Sequence, residues 1–271
     1  MAKNIRILNR LLTDVWCIRP EIHSQLLELA INHAKGIKAE GIEDLVEPEE
    51  TPILEKVGDV AVVNIIGVIG QHLSMLEKVC GGTDTDEISD ALEQAVTDSS
   101  VKAIVLYVDS CGGCVTGVPE LAELVKAATK IKPVFAVTDS QACSAAYWIM
   151  SGADEIFATQ SAVIGSIGAY MAITDYSKAY DMAGMQVNLF ASGTYKGAGV
   201  EGTALTNEQK ANFAAGVNKI AQTFKDCVKS SRQSVKDESM QGQCFYGDEG
   251  LTAGLVDGIK SVDAVIAYAN K

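Results

Sequence analysis

From Asp59 to about Phe190, short apolar runs alternate with segments whose apolar residues recur at helical spacing, and few architectures satisfy that alternation. Val60 to Ile66, Ala103 to Val108 and Val134 to Val137 are too short for buried helices, which predicts buried strands. Between them, Ile88, Ala91, Leu92, Ala95 and Val96 form one helical stripe, preceded by Asp84 and Glu87 at capping-box spacing, and Val118, Leu121, Ala122 and Val125 form another. Strand, helix, strand at this spacing is a parallel βαβ unit with a right-handed crossover. The expected fold class is therefore α/β with a largely parallel sheet. Further strands are expected at Glu155 to Ala158, Ala169 to Ile173 and Gln186 to Phe190, and a long helix from about Asn207 to Ser231.

Ahead of this region, Pro20 to Ala34 places Ile22, Leu26, Leu27, Leu29 and Ile31 mostly on one side of a helix that Pro20 opens without losing a hydrogen bond. Glu40, Glu43, Asp44, Glu47, Glu49 and Glu50 follow, punctuated by Pro48 and Pro52, a pattern that predicts a solvated linker. The chain thus divides into a helical arm with an acidic linker over residues 1–57 and one domain over 58–271. Lys and Arg total 22 against 35 Asp and Glu, a net charge of −13 that repels phosphate backbones and argues against nucleic-acid partners. No apolar run reaches the roughly 18 residues of a membrane span. Asn9 and Arg10 split the apolar residues of the N-terminus, so it does not read as a secretory signal. Seven cysteines, an odd number, suit a reducing compartment, and a cytosolic protein is expected.

In parallel α/β sheets, sites form at the carboxyl ends of strands. After Val108 the chain reads Asp109-Ser-Cys-Gly-Gly-Cys114, a glycine pair expected to open a helix, either as an anion-stabilising pair of N–H groups or as a tight turn. After Val137 it reads Asp139-Ser-Gln-Ala-Cys-Ser-Ala-Ala-Tyr-Trp148, where a serine at the helix start serves as a nucleophile or simply as a cap. A nucleophilic serine needs a base, yet the three histidines, His23, His33 and His72, all precede it, and no GxSxG elbow surrounds Ser144. The remaining option at neutral pH is a lysine deprived of hydration. Lys196, in the glycine-rich run Ser192-Gly-Thr-Tyr-Lys-Gly-Ala-Gly199, is the best candidate, although a flexible connector would have the same composition.

The succession Asp109-Ser-Cys-Gly-Gly113, Ala142-Cys-Ser-Ala-Ala-Tyr147, Gly165-Ser-Ile-Gly168, Ser192-Gly-Thr-Tyr-Lys196, Phe245-Tyr-Gly-Asp-Glu-Gly250 and Gly254-Leu-Val-Asp257 resembles the signal peptide peptidase A family of Ser-Lys peptidases over about residues 58 to 260. The resemblance implies the crotonase fold shared with the Clp protease, a spiral of ββα units with a largely parallel sheet. It also implies Ser144 as nucleophile, Lys196 as general base, Ser166 as a hydroxyl that helps hold the lysine amine, and the N–H groups of Gly113 and Ala145 as the oxyanion hole. No cofactor or metal is implied.

Within that family the chain is similar to the phage head-maturation branch, because Ser144 is followed by Ala-Ala-Tyr-Trp and a helical arm with Ile18-Arg-Pro-Glu21 precedes the domain. That branch implies scaffold, portal and capsid precursors as substrates, a homo-oligomeric ring, and a location in the host cytoplasm or procapsid. With only about ten residues after Lys260, any scaffold is expected to be a separate polypeptide. The alternatives are a soluble signal-peptide-peptidase-like bacterial protease, a crotonase-type acyl-CoA enzyme and a non-catalytic capsid assembly factor. One departure is Cys111, where the family carries Pro. It creates Cys111-Gly-Gly-Cys114, which at a helix start would be a redox pair and otherwise two small packing residues. Cys143 is expected to be a packing residue, Tyr147 and Trp148 to pack the helix of Ser144 against the sheet, and Asp109 to stabilise a turn.

Overall fold

The computed structural model describes residues 11, 14–35, 51–74, 77–78 and 81–271. Its strands are β1 (Trp16–Ile18), β2 (Leu54–Val57), β3 (Val60–Gly70), β4 (Gly82–Asp84), β5 (Ala103–Cys114), β6 (Val134–Thr138), β7 (Gln141–Cys143), β8 (Glu155–Ala158), β9 (Val163–Gly165), β10 (Cys244–Tyr246) and β11 (Gly258–Ile259). The helices are α1 (Pro20–Ala34), α2 (Thr85–Thr97), α3 (Val118–Ala128), α4 (Ala145–Met150), α5 (Ser177–Met182), α6 (Asn207–Ser231), α7 (Gly247–Thr252) and α8 (Val262–Ala269).

One parallel layer runs β3, β5, β6, β8, β11, with β2 added antiparallel to β3. The strand β5 is long enough to leave this layer. At Ser110 it pairs with β7, and β7 continues in parallel to β9, whose far edge takes β10 antiparallel. The fold is thus α/β with a largely parallel sheet. Burial explains the composition of β3: flanked on both faces, it is apolar almost throughout. Its one polar interruption, Asn64, is satisfied by Pro52 C=O at 2.8 Å and Glu55 Oε1 at 2.9 Å.

The stripes expected to be helices are α2 and α3, and their buried residues include Ile88, Ala91, Leu92 and Ala95 in the first and Val118, Leu121, Ala122 and Val125 in the second. Asp84 caps α2 through the Asp86 N–H, whereas Glu87 pairs with Lys78 instead of closing a capping box. The arm is α1, which covers Trp16, Ile18, Cys111 and Cys114 with Ile22, Leu26, Leu27 and Ala30. The acidic stretch from Glu40 to Glu50 lies outside the described residues.

Two expectations need correction. Ala169 to Ile173 and Gln186 to Phe190 are not strands; Tyr170 alone makes a bridge, to Trp16. An apolar run becomes a strand only where a free sheet edge meets it. Here no edge does, and Phe190 stands 93% exposed. The Gly112-Gly113 pair does not open a helix either: β5 continues through Cys114, and α3 starts after Gly117, whose φ of 85° makes the turn.

The Gly254-Leu-Val-Asp257 motif has a structural explanation. Asp257 accepts from Ile156 N–H and from Arg232 Nη1, 2.6 Å away, while Arg232 Nη2 donates to Ala153 C=O at 2.7 Å. Arg232 is buried, so this bond set ties the end of α6 to β8. Arg232→Ala is expected to lower stability by about 3 kcal/mol in urea unfolding, because it strips partners from a carboxylate and a buried carbonyl.

Candidate active site

Ser144 joins β7 to α4 with φ 56° and ψ −119°. A non-glycine residue held so far from the ordinary basins costs about 1–3 kcal/mol, which the surroundings must sustain. They do so from both sides: Ser144 N–H donates to Gly165 C=O at 2.7 Å, and Ser144 C=O accepts from Trp148 N–H at 2.9 Å. The hydroxyl makes no helix cap, so the simple capping role is not realised. Ala145 occupies the first helical position, where a backbone N–H has no intrahelical acceptor.

The helix α4 is anchored by its aromatic pair. Tyr147 donates its hydroxyl to Leu255 C=O at 2.7 Å, and Trp148 stacks on Phe224 of α6 at 4.5 Å with the planes 5° apart. Trp148 therefore packs against a helix, where the sheet was expected.

Gly112 and Gly113 lie beside Ser144. A Cβ on Gly112, whose φ is 103°, would stand 3.0 Å from Ser144 Cβ, and a Cβ on Gly113 would strike the Ile69 carbonyl oxygen at 1.9 Å. Only glycine lets β3, β5 and the serine turn approach this closely. Ser166 also adopts a left-handed backbone, φ 51°, directly after the Gly165 that bonds Ser144. The structure thus brings Ser144, Ala145, Gly113 and Ser166 together. It does not bring Lys196 to them. Lys196 sits exposed on the loop before α6, and its amine has no hydrogen-bond or ion-pair partner among the described residues.

Sequence reasoning missed β1. Cys17 is fully buried, with its thiol beside Ser144. Burial pushes that thiol up to about 12, against the opposing pull of the nearby Ser144 hydroxyl, so it stays protonated at neutral pH. The available signal was the apolar run Val15 to Ile18 between Asp14 and Arg19-Pro20, which reads as a short strand.

The other cysteines divide by environment. Cys111 is not at a helix start, and burial pushes it up to about 11, the reverse of a reactive redox thiol. Cys143 and Cys244 both pair with Gly165, from opposite sides. The neighbouring Cys244 thiol, more than burial, raises Cys143, and interaction with Cys143 holds the free Cys244 thiol below the ordinary thiol value. Iodoacetamide is therefore expected to label Cys244 at a lower pH than an ordinary surface thiol and to leave Cys143 unlabelled, as peptide mass spectrometry would report. Among the described residues, no group of three or more His, Cys, Asp or Glu side chains is placed to hold a metal ion, and no helix is long and apolar enough to cross a membrane.

Comparison with known proteins adds the lineage. The model of peptidase family S49 matches residues 126–271, more than half of the chain. The head-tail preconnector protein GP5 of Enterobacteria phage P21 is 30% identical over 216 residues, covering 79% of this chain and 43% of that protein. The capsid assembly protease C of Escherichia phage lambda is 29% identical over 223 residues, covering 80% and 50%. The chain thus spans about half the length of these curated relatives. Among solved structures, a ClpP1 mutant from Listeria monocytogenes aligns with a TM-score of 0.48 at 13% identity, covering 75% of this chain and 94% of that chain. The family match contains the strained serine turn, the Gly165-Ser166 corner and the loop of Lys196, and on it the chain belongs to peptidase family S49.

Proposed function

We propose that this chain is a serine endopeptidase of phage head maturation, acting on scaffold, portal and capsid precursors inside the procapsid. The observation that carries the catalytic reading is the Ser144 turn: a serine held at φ 56° against the Gly112-Gly113 backbone. Ser144 Oγ attacks the peptide carbonyl as its proton passes to the neutral amine of Lys196, which Ser166 helps to orient. The N–H groups of Gly113 and Ala145 stabilise the oxyanion. The tetrahedral intermediate collapses as Lys196 returns the proton to the leaving amine, and water then releases the acyl group by the same route in reverse.

The loop of Lys196 follows exposed Met182 and Phe190. Apolar side chains left open in this way favour burial against a second copy of the chain, and we assign to assembly in a ring the step that carries Lys196 to Ser144. The similarity to capsid assembly protease C supports the choice of substrate. A crotonase-type acyl-CoA reaction would use the glycine N–H groups but would have no need of the serine turn.

The test is incubation of purified chain with scaffold and capsid precursors, followed by mass spectrometry of the fragments. Wild type is expected to produce fragments that Ser144→Ala and Lys196→Ala do not. Identical fragments from wild type and Ser144→Ala, or none from either, would overturn the proposal.

A further inference from the structure

The N-terminal strand β1 follows the path a bound peptide would take. It runs antiparallel to the end of β5, with Trp16 opposite Cys114, Cys17 opposite Gly113 and Ile18 opposite Gly112. Val115 N–H donates to Val15 C=O at 3.3 Å. Hydrogen-bonded pairs alternate along an antiparallel ladder, so the next such pair is Cys17 with Gly113, and the Gly113 N–H meets the Cys17 carbonyl. That oxygen lies 2.2 Å from the point where a Gly112 Cβ would stand, and Ser144 Cβ lies 3.0 Å from the same point. The Cys17 carbonyl thus lies beside Ser144, with its oxygen on the N–H that the proposed oxyanion hole would use, and the residues before it form the antiparallel strand that carries the approach.

The other edge of β1 is also held. Trp16 N–H and C=O both bond Tyr170, each at 3.0 Å, so the segment lies between two strand-like partners as an added strand does. Packing anchors it further. The Trp16 ring lies 5.1 Å from that of His23 on α1, and His23 Nε2 bonds Leu11 C=O at 2.7 Å. With β1 in place, Ser144 is 1% exposed and Cys17 not at all. In this arrangement the serine is closed to another polypeptide.

We propose that Val15–Ile18 is a cis-acting occupant of the peptide-binding groove, seated in substrate register with the Cys17–Ile18 bond facing Ser144, and that it must leave before another polypeptide can bind. This rests on the reading of Ser144 as nucleophile. The groove then takes an extended segment, and α1 is the clasp that holds the occupant down. An occupied groove lowers apparent activity by the fraction of chains in which it is open.

The experiment uses the full chain and two readouts. The first is the rate at which a small fluorophosphonate labels Ser144, with Ser144→Ala as blank. The second is hydrogen exchange at Gly113 and Val115. Cys17→Pro removes the N–H that β1 donates into the ladder, and Trp16→Ala removes the anchor beside His23 in case the proline variant fails to fold. Labelling is expected to accelerate about tenfold or more in either folded variant, with loss of protection at Gly113 and Val115. Measurable labelling at one rate in all chains, or unprotected Gly113 and Val115 in wild type, would overturn the proposal. If no chain labels, the nucleophile reading fails, and exchange alone still decides whether β1 is seated.

Discussion

Ser144→Ala is expected to fold as wild type and to lose peptide cleavage by about 10⁵–10⁶-fold, down to what backbone donors and binding alone sustain. The comparison is clean because alanine inherits the same φ of 56° and the same Cβ against Gly112, so only the hydroxyl disappears. Fragment analysis and fluorophosphonate labelling both report it. Ser144→Gly separates chemistry from strain. It is equally inactive, but it relieves a backbone conformation that any side chain pays for and is expected to be more stable than Ser144→Ala by about 1 kcal/mol in urea unfolding. Equal stability of the two variants would show that the turn holds no strain.

Gly113→Ala is the second large effect, and it acts through the sheet. Its Cβ would lie 1.9 Å from the Ile69 carbonyl oxygen, 2.6 Å from the Ile69 carbonyl carbon and 2.7 Å from the Ile69 nitrogen. All three are backbone atoms of β3, directly opposite Gly113 in the parallel ladder, so no rotamer change can clear them. The strands must part, and a loss of more than about 3 kcal/mol is expected, in the range of a disrupted core. The same displacement would remove the proposed oxyanion donor, a loss expected by itself to lower turnover by roughly 10²–10³-fold. Stability and rate are expected to fall together, and a fully stable Gly113→Ala chain would contradict the close approach of β3 and β5.

Much of the fold was legible because its signals are local. The apolar runs at Val60, Ala103, Val134 and Glu155 are strands, and the stripes at Ile88 and Val118 are helices; α6 runs from Asn207 to Ser231 as expected. Burial of one face or two leaves a period in the sequence, and the strands, α2 and α3 are buried in this way, whereas α6 buries only Phe224 and Val228. Gln186 to Phe190 has a strand's composition without a strand's neighbour, so its sequence misleads. The glycine pair misleads in another way. Glycine marks a turn and a close backbone approach alike, and at Gly112-Gly113 the approach is what operates.

The chain's order of residues narrowed the candidates for a nucleophile and for its base. Three histidines ahead of Ser144 and none after it exclude the α/β-hydrolase order of triad residues, and the serine, glycine and lysine motifs stand in one family's order. Which of these groups meet was decided by tertiary structure. Ser144, Ala145, Gly113 and Ser166 converge because β5 leaves one layer for another at Ser110, bringing its glycine pair beside the serine turn. Lys196, on an exposed loop with no sheet edge to hold it, stays apart. The seating of Cys17 on Ser144 is likewise a contact across 127 residues, made by a ladder between two backbones. Backbone pairing reads shape and hydrogen-bond register instead of side-chain identity, so the sequence carried only the faint mark of a four-residue apolar run.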